Sequence, residues 1–141
     1  MTVLRNILGV IVGMIVGMIA NMALVMANLA LYPPPEGMDP MDPEQLNPYL
    51  ATLPTAAFIL PLIAHLAQAF VGGWVAAKIG KSRPVLLAMI IGVLSLLGGI
   101  MNFMNLSEAP RWMMIEFPLY LVVAWYAGRL VDKSRAGNAA S

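Results

Sequence analysis

Four apolar runs dominate this sequence and leave it few possible folds. They cover roughly residues 7–31, 54–79, 84–106 and 112–131, and charge gathers between them rather than inside them. Each is long enough to match the ~20 apolar residues that a helix needs to cross about 30 Å of hydrocarbon. Lipid supplies no water to the backbone, so a spanning segment must satisfy its own N–H and C=O groups, as a helix does. Continuous apolar runs also lack the alternation of a barrel strand. The pattern predicts an all-α bundle of four transmembrane helices in one domain over residues 1–141, with 32–53 as the only sizeable extramembrane loop.

Composition excludes the alternatives. Hydrophobic residues make up 60% of the chain and charged ones 11%, against about 25% charged in soluble domains. A soluble fold of this size has too much surface for its volume to hide that apolar content, and disorder requires the opposite composition. A net charge of +1 points to no nucleic-acid partner. With no Cys and a single His, thiolate sites and two-His zinc motifs are excluded. Gly80-Lys81-Ser82 matches the end of a phosphate-binding loop, but Val75 stands where that loop needs Gly, and an apolar run precedes it instead of a strand. No cofactor or metal is expected, and the expected partner is the lipid bilayer itself. The first run exceeds the ~7–15 residues of a signal-peptide core, and no small-x-small site precedes Tyr32. It is therefore expected to be a retained helix.

Charge sets the expected orientation. Arg5, Lys78, Lys81, Arg83, Arg129, Lys133 and Arg135 all fall on one side of a four-span threading. Glu36, Asp39, Asp42, Glu44 and Glu108 fall on the other side, where Arg111 is the only basic residue. The positive-inside rule places both termini in the cytoplasm and the acidic loop outside, as in a bacterial-type inner membrane. Within that loop, Asp42-Pro43-Glu44-Gln45 has the form of a helix N-cap with a proline in the first turn. Leu46, Tyr49, Leu50 and Leu53 follow at helical spacing. Pro48 limits the expectation to one or two turns lying on the membrane surface. A weak tandem likeness joins Pro61-Leu62 to Pro118-Leu119 and Lys81-Ser82-Arg83 to Lys133-Ser134-Arg135.

Residues that a lipid-facing helix would not choose mark the interior. Gly9, Gly13 and Gly17 recur every fourth position in the first span, a ladder that lets two backbones approach closely. Its partner is either another helix of this chain or a second copy. Asn21 extends the stripe, and Asn28 follows one heptad later. The second span carries His65, Gln68, Gly72 and Gly73, with His65 near mid-membrane. An ionisable group at that depth is by default a functional candidate; the alternative is a neutral His bonded to an Asn of a neighbouring helix. The third span aligns Gly92, Ser95, Gly99 and Asn102, with Asn105 a turn later. In the fourth span, Glu116 either snorkels outward or turns inward toward Asn28, Asn102 or Asn105, and Tyr120 shares its face.

Sorted by depth, these residues describe a polar vestibule open to the outside and closed toward the cytoplasm. A polar network that only fixes helix packing would have the same sequence. The leading functional expectation is a small permease-like or solute-binding membrane protein, oligomeric, with His65, Gln68, Asn102 and Glu116 lining the cavity. The rival is an accessory or assembly subunit of a larger membrane complex, whose glycine and asparagine stripes bind partner helices. A membrane-embedded enzyme using His65 with Glu116 ranks below both. Counting residues from the span ends separates that pair by about 8 Å in depth at 1.5 Å per residue.

Asn21-Met22-Ala23-Leu24, Pro33-Pro34-Pro35-Glu36-Gly37, His65, Gly98-Gly99-Ile100-Met101-Asn102 and Pro110-x-Trp112 together resemble a family of small bacterial four-helix integral membrane proteins without assigned activity. The likeness covers most of the chain and implies the same four-span layout. Small multidrug transporters have similar length, but they rely on an acidic residue in the first helix, and this first span has none.

Overall fold

The computed structural model describes residues 1–140, and every regular element among them is helical. Helix α1 covers Thr2–Leu31, α2 Pro43–Thr52, α3 Ile59–Ile79, α4 Pro84–Asn105 and α5 Glu116–Ala140. Short 3-10 turns at Thr55–Phe58 and Arg111–Ile115 lead into α3 and α5. With those turns included, four helices are long and apolar enough to cross a membrane: Thr2–Leu31, Thr55–Ile79, Pro84–Asn105 and Arg111–Ala139. This is the build of a membrane-embedded protein.

Helix α3 is the hub and touches the other three long helices. Helix α1 packs almost wholly on α3, while α4 and α5 pack on each other and on α3. The glycine ladder of α1 settles on α3. A methyl group added at Gly13 would lie 2.5 Å from the carbonyl oxygen of Gly72, and one at Gly17 2.6 Å from that of Gln68. Gly9 meets Ala76 in the same way, so all three glycines find their partner within the chain. On the other side, Gly73 faces Ala88 and Gly92 faces Ala124. Gly128, which the sequence pattern did not single out, lets α5 close on Val85. Small side chains fill the same half of the bundle: Ala69, Ala76, Ala77, Ala88, Ala124 and Ala127 are all fully buried. Close backbone packing of this kind replaces the hydrophobic driving force that lipid removes.

Pro61 and Pro118 each fall in the first turn of their α-helix, after a 3-10 turn that itself follows a proline, Pro54 or Pro110. A missing N–H costs little in a first turn, so neither proline interrupts a span. The two spans thus begin in the same way.

The end of the bundle at the α3–α4 turn is tied by the basic residues. Arg135 donates to the carbonyls of Ala77 at 2.6 Å and Gly80 at 2.5 Å, and Arg5 donates to that of Ile79 at 2.9 Å. These cations satisfy carbonyls that the end of α3 leaves open and oppose its negative dipole end. Asn6 accepts from the backbone N–H of Lys81 and donates to Ser82. Such partners explain why α1 and α5 extend beyond the apolar runs at their polar ends. Lys78 lies over Trp74 and Arg129 over Trp125 at this end, and Trp112 is half-exposed at the other. Tryptophan at both ends of a span is the usual mark of the two interfaces.

At the opposite end, α2 is one continuous helix of ten residues rather than one or two turns. Asp42 caps it by accepting from Glu44 N–H at 3.0 Å. Pro48 removes the bond to Glu44 C=O, but both residues face solvent, so water can serve that carbonyl. The inner face of α2 is held to the bundle. Asn47 donates to the carbonyl of Asn105 at 3.1 Å and accepts from Glu108 N–H at 3.3 Å. The hydroxyl of Tyr49 donates to the carbonyl of Tyr32. Burial raises the pKa of the Tyr49 phenol, which keeps it a neutral donor.

Candidate functional site

The small-residue packing stops about half-way along the bundle. Beyond it the helices part around a cavity of about 420 Å³, with α2 lying across its far end. A volume of this size falls within the ~300–1,000 Å³ of small-molecule sites. Helix α1 contributes Asn21 and Asn28, α3 His65 and Gln68, α4 Ser95 and Asn102, and α5 Glu116 and Tyr120. Met41, Leu46, Tyr49, Leu50 and Leu53, from α2 and its flanks, form the apolar cover.

Glu116 sets the electrostatics. It is the first residue of α5, where a carboxylate suits the positive end of the helix dipole, and only 2% of it is exposed. It turns inward. One carboxylate oxygen, Oε2, meets Nδ1 of His65 at 2.9 Å, and the other, Oε1, accepts from the Tyr120 hydroxyl at 3.1 Å. The Tyr120 ring is seated against Gly99, where a methyl group would collide with it. No other ion-pair contact occurs among the described residues. Neither the asparagine partners expected for an inward Glu116 nor the Asn partner of the packing-only reading forms; the two residues pair with each other, the combination the lowest-ranked reading names. The depth difference counted from the span ends does not keep His65 and Glu116 apart. His65 is the seventh residue of α3 and Glu116 the first of α5, yet the two side chains reach each other across the bundle.

A second hydrogen bond crosses the α1–α3 seam, where Asn21 Nδ2 donates to Gln68 Oε1 at 2.9 Å. Three polar atoms along the cavity wall have no partner: Asn21 Oδ1, Asn28 Oδ1 and Ser95 Oγ. Asn28 and Ser95 are 7% and 3% exposed. Ser95 Oγ bonds to nothing, so the His65–Glu116 pair does not activate that hydroxyl in this arrangement. Asn102 is an exposed residue at the cavity rim, and Asn105 lies beyond the lining, its backbone carbonyl taken by Asn47. Among the described residues, no group of three or more His, Cys, Asp or Glu is arranged to hold a metal.

Sequence reasoning missed the apolar and aromatic part of the wall, including Phe58, Phe103 and Met113. In an apolar helix such residues give no signal that separates a cavity wall from a lipid face. Phe103 is fixed edge-on against Phe117 at 5.9 Å between ring centres. No protein-family model matches the chain, and no curated protein or solved structure is significantly similar to it.

Proposed function

We propose that this chain is a small permease-like or solute-binding protein of a bacterial-type inner membrane, with both termini cytoplasmic and the cavity open to the outside. One observation carries the reading: buried polar atoms with no partner, Asn28 Oδ1 and Ser95 Oγ foremost, line a cavity that also holds a buried carboxylate. A network whose only task is to lock helices satisfies its own groups, because an unpaired buried polar atom costs about 1–3 kcal/mol. These atoms are closed over as the cavity stands, and a polar solute entering it supplies the missing partners once the Asn28 and Ser95 side chains turn toward it. The charge asymmetry supports the orientation: the cavity lies toward the end that carries the acidic loop, under α2, and the basic residues tie the other end.

The accessory-subunit reading draws on the glycine ladder as a partner surface. That ladder faces α3, so none of Gly9, Gly13 and Gly17 is free for another chain. The test is to incubate purified chain in nanodiscs with a mixed pool of small polar metabolites and to identify by mass spectrometry what stays bound. A solute retained by the wild type and lost in Ser95→Leu, which fills the cavity, is the expected result. A retained set that is empty, or identical in both proteins, overturns the proposal. Co-purification with a stoichiometric membrane partner together with an empty set favours the subunit reading.

A further inference from the structure

The lining of the cavity also constrains its ligand. Resting on the solute-binding reading, we infer that the occupant is a small organic monocation with N–H donors, such as a primary ammonium compound. Its cationic head would sit at Glu116, and its apolar part against the aromatic and leucine wall.

Charge is the first argument. No Lys or Arg lines the cavity, and Glu116 is its only carboxylate. An anionic ligand would be placed beside a buried carboxylate with nothing but His65 to offset it. His65 offsets that charge only when protonated; beside a neutral imidazole, one positive charge on the ligand supplies the counter-ion. Uncompensated buried charge is among the costliest features a fold can hold.

Hydrogen-bond inventory is the second. A carboxylate has about four acceptor positions, and the His65 and Tyr120 contacts use one on each oxygen. Asn21 Oδ1 and Asn28 Oδ1 are unpaired acceptors on the facing helix. The open positions of the Glu116 carboxylate are all acceptors, which an ammonium group with several N–H donors fits better than a carbonyl or an ether would.

The remaining wall suits an organic cation better than a bare divalent metal ion. Hard metal cations are held by about six or more oxygens, and no cluster of acidic or imidazole ligands exists among the described residues. Instead Tyr49, Phe58, Phe103 and Tyr120 present aromatic surface, which attracts organic cations through the ring quadrupole. At the end of the cavity that α2 covers, Asp39, Asp42 and Glu108 each adjoin a lining residue in the chain and make no ion pair. They raise the local concentration of cations at that end.

Three probes with one skeleton test the inference on the whole chain in nanodiscs: 2-phenylethylamine, 2-phenylethanol and 3-phenylpropionate, followed by tryptophan fluorescence. The amine is expected to bind at least about tenfold more tightly than the alcohol, and the carboxylate most weakly. Glu116→Gln is expected to abolish the preference for the amine. Equal binding of amine and alcohol overturns the inference but leaves the solute site standing, as does a preference that survives in a folded Glu116→Gln. Failure of all three probes to bind overturns the inference and counts against the solute site as well. The wild-type comparison needs no variant, so misfolding of Glu116→Gln does not remove the test.

Discussion

Gly13 is the position where the packing account is easiest to break. Its substitution by alanine places a methyl group 2.5 Å from the carbonyl oxygen of Gly72 and 2.9 Å from Ala76 Cβ. The first of these neighbours is backbone and cannot rotate aside, so α1 must move outward by about 1 Å to restore ordinary contact. Overpacking of this kind costs about 1–3 kcal/mol. The displacement also loosens Val10 and Met14 against the buried cluster of Ala76, Leu87 and Ile91, and stretches the Asn21–Gln68 bond. The cost should therefore fall in the upper part of that range. Alanine itself gains up to about 1 kcal/mol of helix propensity over glycine, which would mask part of the loss. Gly98→Ala is the control: it has the same propensity gain with nothing within 4 Å of the new methyl group. In SDS-driven unfolding from mixed micelles, Gly13→Ala should be about 2–3 kcal/mol less stable than Gly98→Ala. Equal stability of the two variants would refute the close α1–α3 seam.

The remaining predictions address the polar groups. Glu116→Ala leaves Tyr120 and His65 without partners and should destabilise the chain by about 1–3 kcal/mol; the double variant with His65→Ala should cost less than the sum of the singles, and strict additivity would contradict the pairing. Asn47→Ala removes both bonds between α2 and the end of α4, so hydrogen exchange over residues 43–52 should quicken while α3 stays protected; unchanged exchange there would show that α2 is held by its apolar face alone. A membrane-impermeant amine reagent applied to intact cells should reach neither Lys81 nor Lys133 until the membrane is opened, and labelling from outside would reverse the proposed orientation.

The fold was legible because lipid imposes a simple rule, that spans are long, apolar and helical, and the four runs obey it. The Asp42 cap was legible for a different reason: its partner is two residues away. The site was legible only in part. His65, Glu116, Asn28 and Ser95 announce themselves as polar residues in apolar runs. Which of them meet depends on how far each helix is shifted along its neighbour, and no local pattern encodes that shift. Asn102 and Asn105 show the limit: each reads as a buried asparagine, yet Asn102 is exposed at the rim and Asn105 lies at the helix end. The glycine ladder announced a seam without naming its partner, because a strip of small residues fits any close-packed helix.

The central claim is that Ser95 stands in a wet cavity rather than a dry, closed network. The chain contains no Cys, so a single introduced thiol reports its own surroundings, and methanethiosulfonates attack only a hydrated, ionisable thiol. Ser95→Cys and Leu94→Cys should be compared in sealed vesicles with a small impermeant reagent. Leu94 is the more exposed in bare structure, at 40% against 3% for Ser95, but it faces lipid. The account predicts that Ser95→Cys reacts from the side bearing α2 and Leu94→Cys does not. An inert Ser95→Cys, in a protein that remains folded, would contradict it.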